Sequence, residues 1–191
     1  MKAIMRPLLV SFLVLLLLTG IVYPLTVWGL ARTVFPWQAS GSLLTRDGRV
    51  IGSAVIGQHF SDPRHFWSRP SATGPFPYNA AASGGSNQGP LNPALIDAVK
   101  ARIDALRAAD PGNAAPIPVD LVTASGSGVD PHISVAAARY QARRVARSRG
   151  LTPDRVYRLI DEATEEQMFG FLGEPRVNVL RLNLGLEALR P

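Results

Sequence analysis

The run Ser83-Gly84-Gly85-Ser86-Asn87-Gln88-Gly89 holds the residues of this chain best suited to gripping a ligand. Successive glycines let a backbone turn several N–H groups toward one point, making a concavity for an anion or for a partner's carbonyls. A solvated turn has the same composition, so Ser83, Gly84, Gly85, Ser86, Asn87 and Gln88 stand as a candidate loop. A second glycine turn, Gly126-Ser127-Gly128, carries a serine, but a nucleophile elbow needs glycines two residues away on both sides, and neither Ser127 nor Ser125 has them. The better account is a glycine-rich turn leading to Asp130. His59, Asp62 and His65 recur every three residues, a spacing that holds a metal only on a helix, which Pro63 obstructs. No catalytic residue and no metal ligand is assigned on these patterns.

Three further chemistries are excluded outright. A P-loop needs G-x-x-x-x-G-K-[ST], and neither Lys2 nor Lys100, the only lysines, has that setting. No aspartate begins an Asp-Lys-Thr-Gly-Thr phosphorylation sequence, so the chain cannot be a pump by itself. Without cysteine there is no disulfide, thiol chemistry or thiolate metal site. The net charge of +6 rests on arginines, densest at Arg139, Arg143, Arg144, Arg147 and Arg149. Lacking interleaved aromatics or a groove-reading motif, that cluster reads as a solvated helix face or a lipid- or partner-facing patch, with no nucleic acid involved.

The elements that must position these residues begin with a membrane span. Residues 8–30 are uncharged and apolar between Arg6 and Arg32, and about 23 residues at 1.5 Å each cross a hydrocarbon layer. Pro24 bends this helix at most. Lys2, Arg6 and the amino terminus bias the N-terminus to the cytoplasm, and Tyr23, Trp28 and Trp37 suit an aromatic belt on the far side. The span is too long, and lacks the cleavage site, for a signal peptide. The organisation expected is a cytoplasmic tail at 1–7, a transmembrane helix at 8–30, a linker at 31–42 and one extracytoplasmic domain at 43–191.

Within that domain three helices are expected where a capping side chain precedes proline, at Asn92-Pro93, Asp130-Pro131 and Thr152-Pro153. They should run over 93–108, over 131–149 with Ile133, Ala136, Ala137 and Tyr140 inward and Gly150 as C-cap, and over 153–164. Strands are expected over 49–56 and 121–123, and over 180–186, where Leu180, Leu182, Leu184 and Leu186 alternate with polar residues or glycine. The class is α+β, or an irregular α/β, without a clean βαβ repeat. Residues 58–92 are too rich in proline and glycine for regular structure, yet Phe60, Phe66, Trp67, Phe76 and Tyr78 are too apolar for a linker. The stretch reads as an ordered excursion that either pegs the core or docks a partner.

Several blocks resemble the KdpC family, accessory subunits of the bacterial high-affinity potassium-transporting Kdp ATPase. They are Gly57-Gln58-His59-Phe60, Arg69-Pro70-Ser71-Ala72, Tyr78-Asn79-Ala80-Ala81-Ala82-Ser83-Gly84-Gly85-Ser86-Asn87, and Gly89-Pro90 through Asn92-Pro93. A second region, from Val119 to Gly128 with Asp130-Pro131-His132-Ile133-Ser134, and a third, Gly170-Phe171-Leu172-Gly173-Glu174-Pro175-Arg176-Val177-Asn178-Val179-Leu180, continue the likeness in order. The resemblance implies a non-catalytic member of a complex of the bacterial inner membrane that also holds the potassium-translocating channel-like protein, the ATP-hydrolysing P-type protein and one small further protein. It also implies a catalytic chaperone that raises the ATP affinity of the hydrolysing partner, with the loop Ser83 to Gln88 proposed to meet nucleotide. No cofactor is expected to bind this chain directly, and ATP enters only through that hydrolysing partner. Two readings from other classes stay open: an anchored enzyme using His59, His65, His132 or Ser127, and an anion- or solute-binding module using the glycine loop.

Overall fold

The computed structural model describes residues 2–189, with side chains from Ile4 onward. Met1, Arg190 and Pro191, at the ends of the expected 1–7 and 43–191 segments, lie outside the described residues, as does the Lys2 side chain used in the orientation argument. The chain divides into two compact units, one up to Ile51 and one from Gly52.

The first unit is dominated by a helix in three pieces, α1 (Lys2–Leu17), a π-helical turn (Leu18–Val22) and α2 (Tyr23–Val34). Residues 4–34 form one helix long and apolar enough to cross a membrane, longer at both ends than the uncharged run itself. Proline has no N–H and crowds the carbonyl four residues back, and the wide turn just before Pro24 absorbs both defects. Thr19 and Thr26 hide their hydroxyls by donating to Leu15 O and Val22 O, each at 2.7 Å. After the short α3 (Pro36–Ala39), β1 (Leu43–Arg46) and β2 (Arg49–Ser53) pair as a hairpin. Asp47 (φ 50) and Gly48 (φ 74) both take the left-handed conformation that a tight two-residue hairpin needs. The strand expected to reach Ile56 stops at Ser53, whose hydroxyl accepts Val55 N and turns the chain.

The second unit is built on a small antiparallel sheet in which β5 (Arg176–Asn178) lies between β3 (His132–Ser134) and β4 (Thr164–Glu165). Ile133 pairs with Val177, and Val177 with Thr164. Against it pack α5 (Val135–Arg149) and α7 (Val179–Ala188), α6 (Pro153–Glu162) packs on both of these helices, and α4 (Pro93–Ala109) contributes Leu106 to the same core. The architecture is mixed α and β, as expected.

Three local expectations are corrected. The helix expected from Pro131 starts at Val135: the Asp130 carboxylate accepts His132 N, residues 132–134 pair with β5, and Ser134 Oγ caps Ala137 N at 3.0 Å. Its buried face is therefore Ala137, Ala138, Gln141, Ala142, Arg144, Val145 and Ala146, with Ala136 exposed and Tyr140 half-buried. Gly150, at φ 67, ends it as expected. The leucine alternation over 180–186 forms α7 instead of a strand. Asn178 Oδ1 caps Arg181 N, and Leu182 and Leu186, one turn apart, are fully buried while Leu184 is only half-buried. Finally, the apolar piece expected as a strand at 121–123 starts at the end of a 3-10 turn (Val119–Leu121) and continues as a bend, with Thr123 Oγ1 donating to Val119 O. Asn92 caps α4 through Ala94 N as expected, and α6 starts at Pro153 without a side-chain cap bond.

Residues 58–92 carry no strand, only a 3-10 turn (Ala80–Ala82). Side-chain amides replace the missing ladder. Asn183 accepts Phe66 N at 2.9 Å and donates to Phe66 O at 3.0 Å, while Gln141 does the same for Trp67 at 2.8 and 3.2 Å. Buried Arg144 donates to Pro63 O, His65 O and Gln141 Oε1 and lies under the Trp67 ring at 4.7 Å. Phe66, with 0 % exposure, is thus a core peg and not a docking group.

Candidate functional site

The two glycine turns, about forty residues apart in sequence, meet in the fold. Gly84 N and Ser83 Oγ both donate to Ser127 O, each at 2.9 Å. Gly85 lies so close to Gly126 that an added Cβ would sit 3.1 Å from its carbonyl oxygen. Gly128, at φ 69, has room for no side chain, because a Cβ there would reach Thr73 and stand 2.7 Å from Gly84 O. Ser125 Oγ accepts Gly128 N, and Ser71 Oγ donates to Gly128 O at 2.6 Å. These glycines are required by close approach of backbone to backbone. Their hydrogen bonds are spent largely on each other, which makes a braced surface of Ser83, Ser86, Asn87, Gly126 and Ser127 and not a pocket with convergent N–H groups.

Behind that surface runs the segment 69–79. Gly57 N donates to Val129 O, and a Cβ on Gly57 would collide with the Tyr78 ring and with Asp130 O. Tyr78, at φ 60, donates its hydroxyl to Arg69 O, and burial pushes its phenol up to about 12, so it stays a donor. Ser71 Oγ accepts Tyr78 N, and Thr73 Oγ1 accepts Asn79 N. The Arg-Pro-Ser-Ala and Tyr-Asn-Ala blocks are therefore braces for the glycine loops.

A chain of charges continues from the braces to the sheet. Arg69 Nη1 stands 3.5 Å from Asp130 Oδ2, and its other nitrogens reach Thr123 O and Ala124 O at 3.4 Å. His132 bridges Asp130 Oδ1 and Glu165 Oε2 at 3.4 and 3.5 Å, and Glu165 meets Arg176 and Arg181. Burial alone would raise the Asp130 carboxyl, but hydrogen bonds from His132 and the charges of His132 and Arg69 hold it below the ordinary range. A cavity of about 330 Å³ opens beside Arg69, with Phe60, Trp67, Tyr78 and Leu121 among its walls.

Other sequence candidates are not brought together. His59 is exposed beside the cavity, His65 lies between Asp62 and Glu187, and His132 sits on the sheet. Ser127 Oγ accepts Val129 N. Among the described residues no group of three or more His, Cys, Asp or Glu is placed to hold a metal ion. The arginine cluster on α5 is also not simply a solvated face. Arg144 is buried, Arg149 donates to Arg64 O, Arg147 pairs with buried Asp110, and Arg139 pairs with Asp161. The sequence patterns gave Gln141, Asn178 and Asn183 no individual role and put Arg144, which is buried, on a solvated or partner-facing helix face. For Gln141 a signal existed, since it falls on the apolar stripe of Ala137, Ala138, Ala142, Val145 and Ala146, where a polar residue must find buried partners.

A family model described as "KdpC: K+-transporting ATPase, c chain" matches residues 5–188. A curated relative from Polaromonas naphthalenivorans (strain CJ2), named potassium-transporting ATPase KdpC subunit, is 68% identical over 100% of this chain and 97% of its own length. Relatives of the same name from Methylibium petroleiphilum and Variovorax paradoxus are 65% and 64% identical, covering 100% and 98% of this chain and 100% and 97% of their own.

Proposed function

This chain belongs to the KdpC family of potassium-transporting ATPase subunits, and from that premise we propose that it acts without bond-breaking chemistry, assembling and stabilising an ATP-driven potassium uptake complex. The observation that carries this reading is the joining of two loops, at 83–88 and 123–130, into one solvent-facing surface whose polar groups brace each other. Such a surface presents fixed shape and a few side chains to a partner, as an interface does. In this reading the partners are the potassium-translocating protein, the ATP-hydrolysing protein and the small further protein of the complex. The helix at residues 4–34 supplies a packing face inside the bilayer.

The N-terminus lies in the cytoplasm and the second unit outside it, near the ion entrance of the potassium-translocating partner. The domains follow as tail 1–7, span 8–30, linker 31–42 and extracytoplasmic domain 43–191. That placement bears on the family's chaperone role. Ser83, Gly84, Gly85, Ser86, Asn87 and Gln88 cannot meet cytoplasmic ATP from outside, so any rise in the ATP affinity of the hydrolysing partner passes through the assembled complex. By linkage, ATP then tightens assembly by the same factor.

Protease digestion of sealed inner-membrane vesicles of known sidedness tests the placement. Digestion of residues beyond 52 only in vesicles exposing the outer face is the expected result. Cleavage only from the cytoplasmic face overturns it and returns the 83–88 loop to contact with nucleotide.

A further inference from the structure

The hairpin joining β4 to β5 ends in Met168-Phe169-Gly170-Phe171-Leu172, whose four large apolar side chains are exposed by 65, 79, 72 and 48 %. The turn is well defined. Met168 N donates to Leu172 O and Leu172 N to Met168 O, both at 3.0 Å, while Gly170 N and Phe171 N donate to Gln167 O and Met168 O. Gln167 Nε2 closes the base on Gly173 O at 2.7 Å. Phe169 (φ 55), Gly170 (φ 78) and Gly173 (φ 81) hold left-handed backbone, unfavourable for a phenylalanine, and the result is greater exposure of apolar surface. A soluble fold gains nothing from that arrangement, and a patch of this kind marks a contact site.

The chemistry of the tip selects its occupant. Entry into a lipid interface demands apolar side chains at the leading end, backbone groups bonded within the segment and no charge carried in with them. Four of the five tip amides donate inside the turn, and no charged residue lies between Gln167 and Gly173. Exposed Glu166 and Glu174 form a collar behind it, and Arg176, the nearest arginine along the chain, is paired with Glu165. The contact is thus apolar, without attraction to anionic headgroups. The chain itself also brings a bilayer within reach. Residues 4–34 are a candidate span, and the second unit, with an expected radius of gyration of about 14 Å, is tied to it by a short connection.

We propose that residues 168–172 insert into the interfacial zone of the membrane that the N-terminal helix spans, as a second, reversible lipid contact. Such a contact needs only the span, and holds whichever side of the membrane the second unit occupies.

The chain has no cysteine, so Phe169→Cys carrying a polarity-sensitive fluorophore reports the tip alone. In full-length protein reconstituted in phosphatidylcholine vesicles, lipids bearing a nitroxide high on the acyl chain should quench roughly half the emission, since an interfacial element sits about 5–10 Å deep. The same label at Ala108→Cys, on the exposed side of α4, should keep its emission. Adding Phe171→Ser and Leu172→Ser should abolish the tip's quenching without moving the thermal midpoint, and anionic lipid should not strengthen it. An unquenched tip overturns the proposal, as does equal quenching at Ala108→Cys. A tip shielded from aqueous iodide only in the assembled complex, or self-quenching that grows with protein density, assigns it to a partner protein or a second copy and also overturns it.

Discussion

Arg144 shows how much one buried side chain can organise. Burial pulls its guanidinium down to about 10, yet it stays charged at neutral pH and donates to three oxygens on two segments. Arg144→Leu removes the charged donors of Pro63 O and His65 O and one of the two donors of Gln141 Oε1, and should cost about 2–4 kcal/mol in urea unfolding. Arg144→Lys should recover only part of this, because an ammonium cannot reproduce the planar fork. A loss under about 0.5 kcal/mol would show that the excursion is held some other way. Asp130 gives a pH prediction. Its native pKa lies below that of the unfolded chain, about 3.9, so its stabilisation is complete above that value and is lost as pH falls through the lower, folded one. The urea midpoint of the native sequence should exceed that of Asp130→Asn at about pH 6, and the gap should close below about pH 4. A gap constant across that range would contradict the contacts with His132 and Arg69.

At the scale of elements, the segment after Asn178 is the informative case. A strand would put Leu180, Leu182, Leu184 and Leu186 on one face and make them equivalent. In the helix, Leu182 and Leu186 are fully buried and Leu184 is half-buried. Leu182→Ala and Leu186→Ala should each cost about 2–5 kcal/mol, and Leu184→Ala under about 1.5 kcal/mol, by thermal or urea unfolding. Equal costs at all three would restore the strand. The start of α5 makes a similar point. Ser134 Oγ caps Ala137 N and donates to Asp120, so Ser134→Ala should cost about 1–2 kcal/mol. A substitution at Pro131, where the helix was expected to begin, touches no cap.

For the whole molecule, the joined glycine loops carry the proposed assembly role. Gly128→Ala adds a methyl where Thr73 and Gly84 O already stand, at a backbone angle that alanine resists. It should lower stability by about 1–3 kcal/mol and reduce co-purification of the partner proteins by more than that loss explains. Gly112→Ala, with open space around its Cβ position and ordinary backbone, should leave both unchanged. Normal yield of the complex from Gly128→Ala would remove this surface from the interface.

The sequence by itself determined what depends on local chemistry or on runs longer than chance: the apolar helix, the Asn92 and Gly150 caps, the irregular character of 58–92, and the family through its ordered blocks. Those signals are written within one turn or one span, where propensity and hydropathy act alone. Only the tertiary structure decided that Gln141, Arg144 and Asn183 bind the excursion, that Ser83 and Ser127 O meet, and that leucines in alternation wind into a helix. Each depends on a partner brought from a distant part of the chain. A buried amide bonds whatever backbone the fold places beside it, and period-2 leucines still present an i, i+4 pair to a core that accepts a helix.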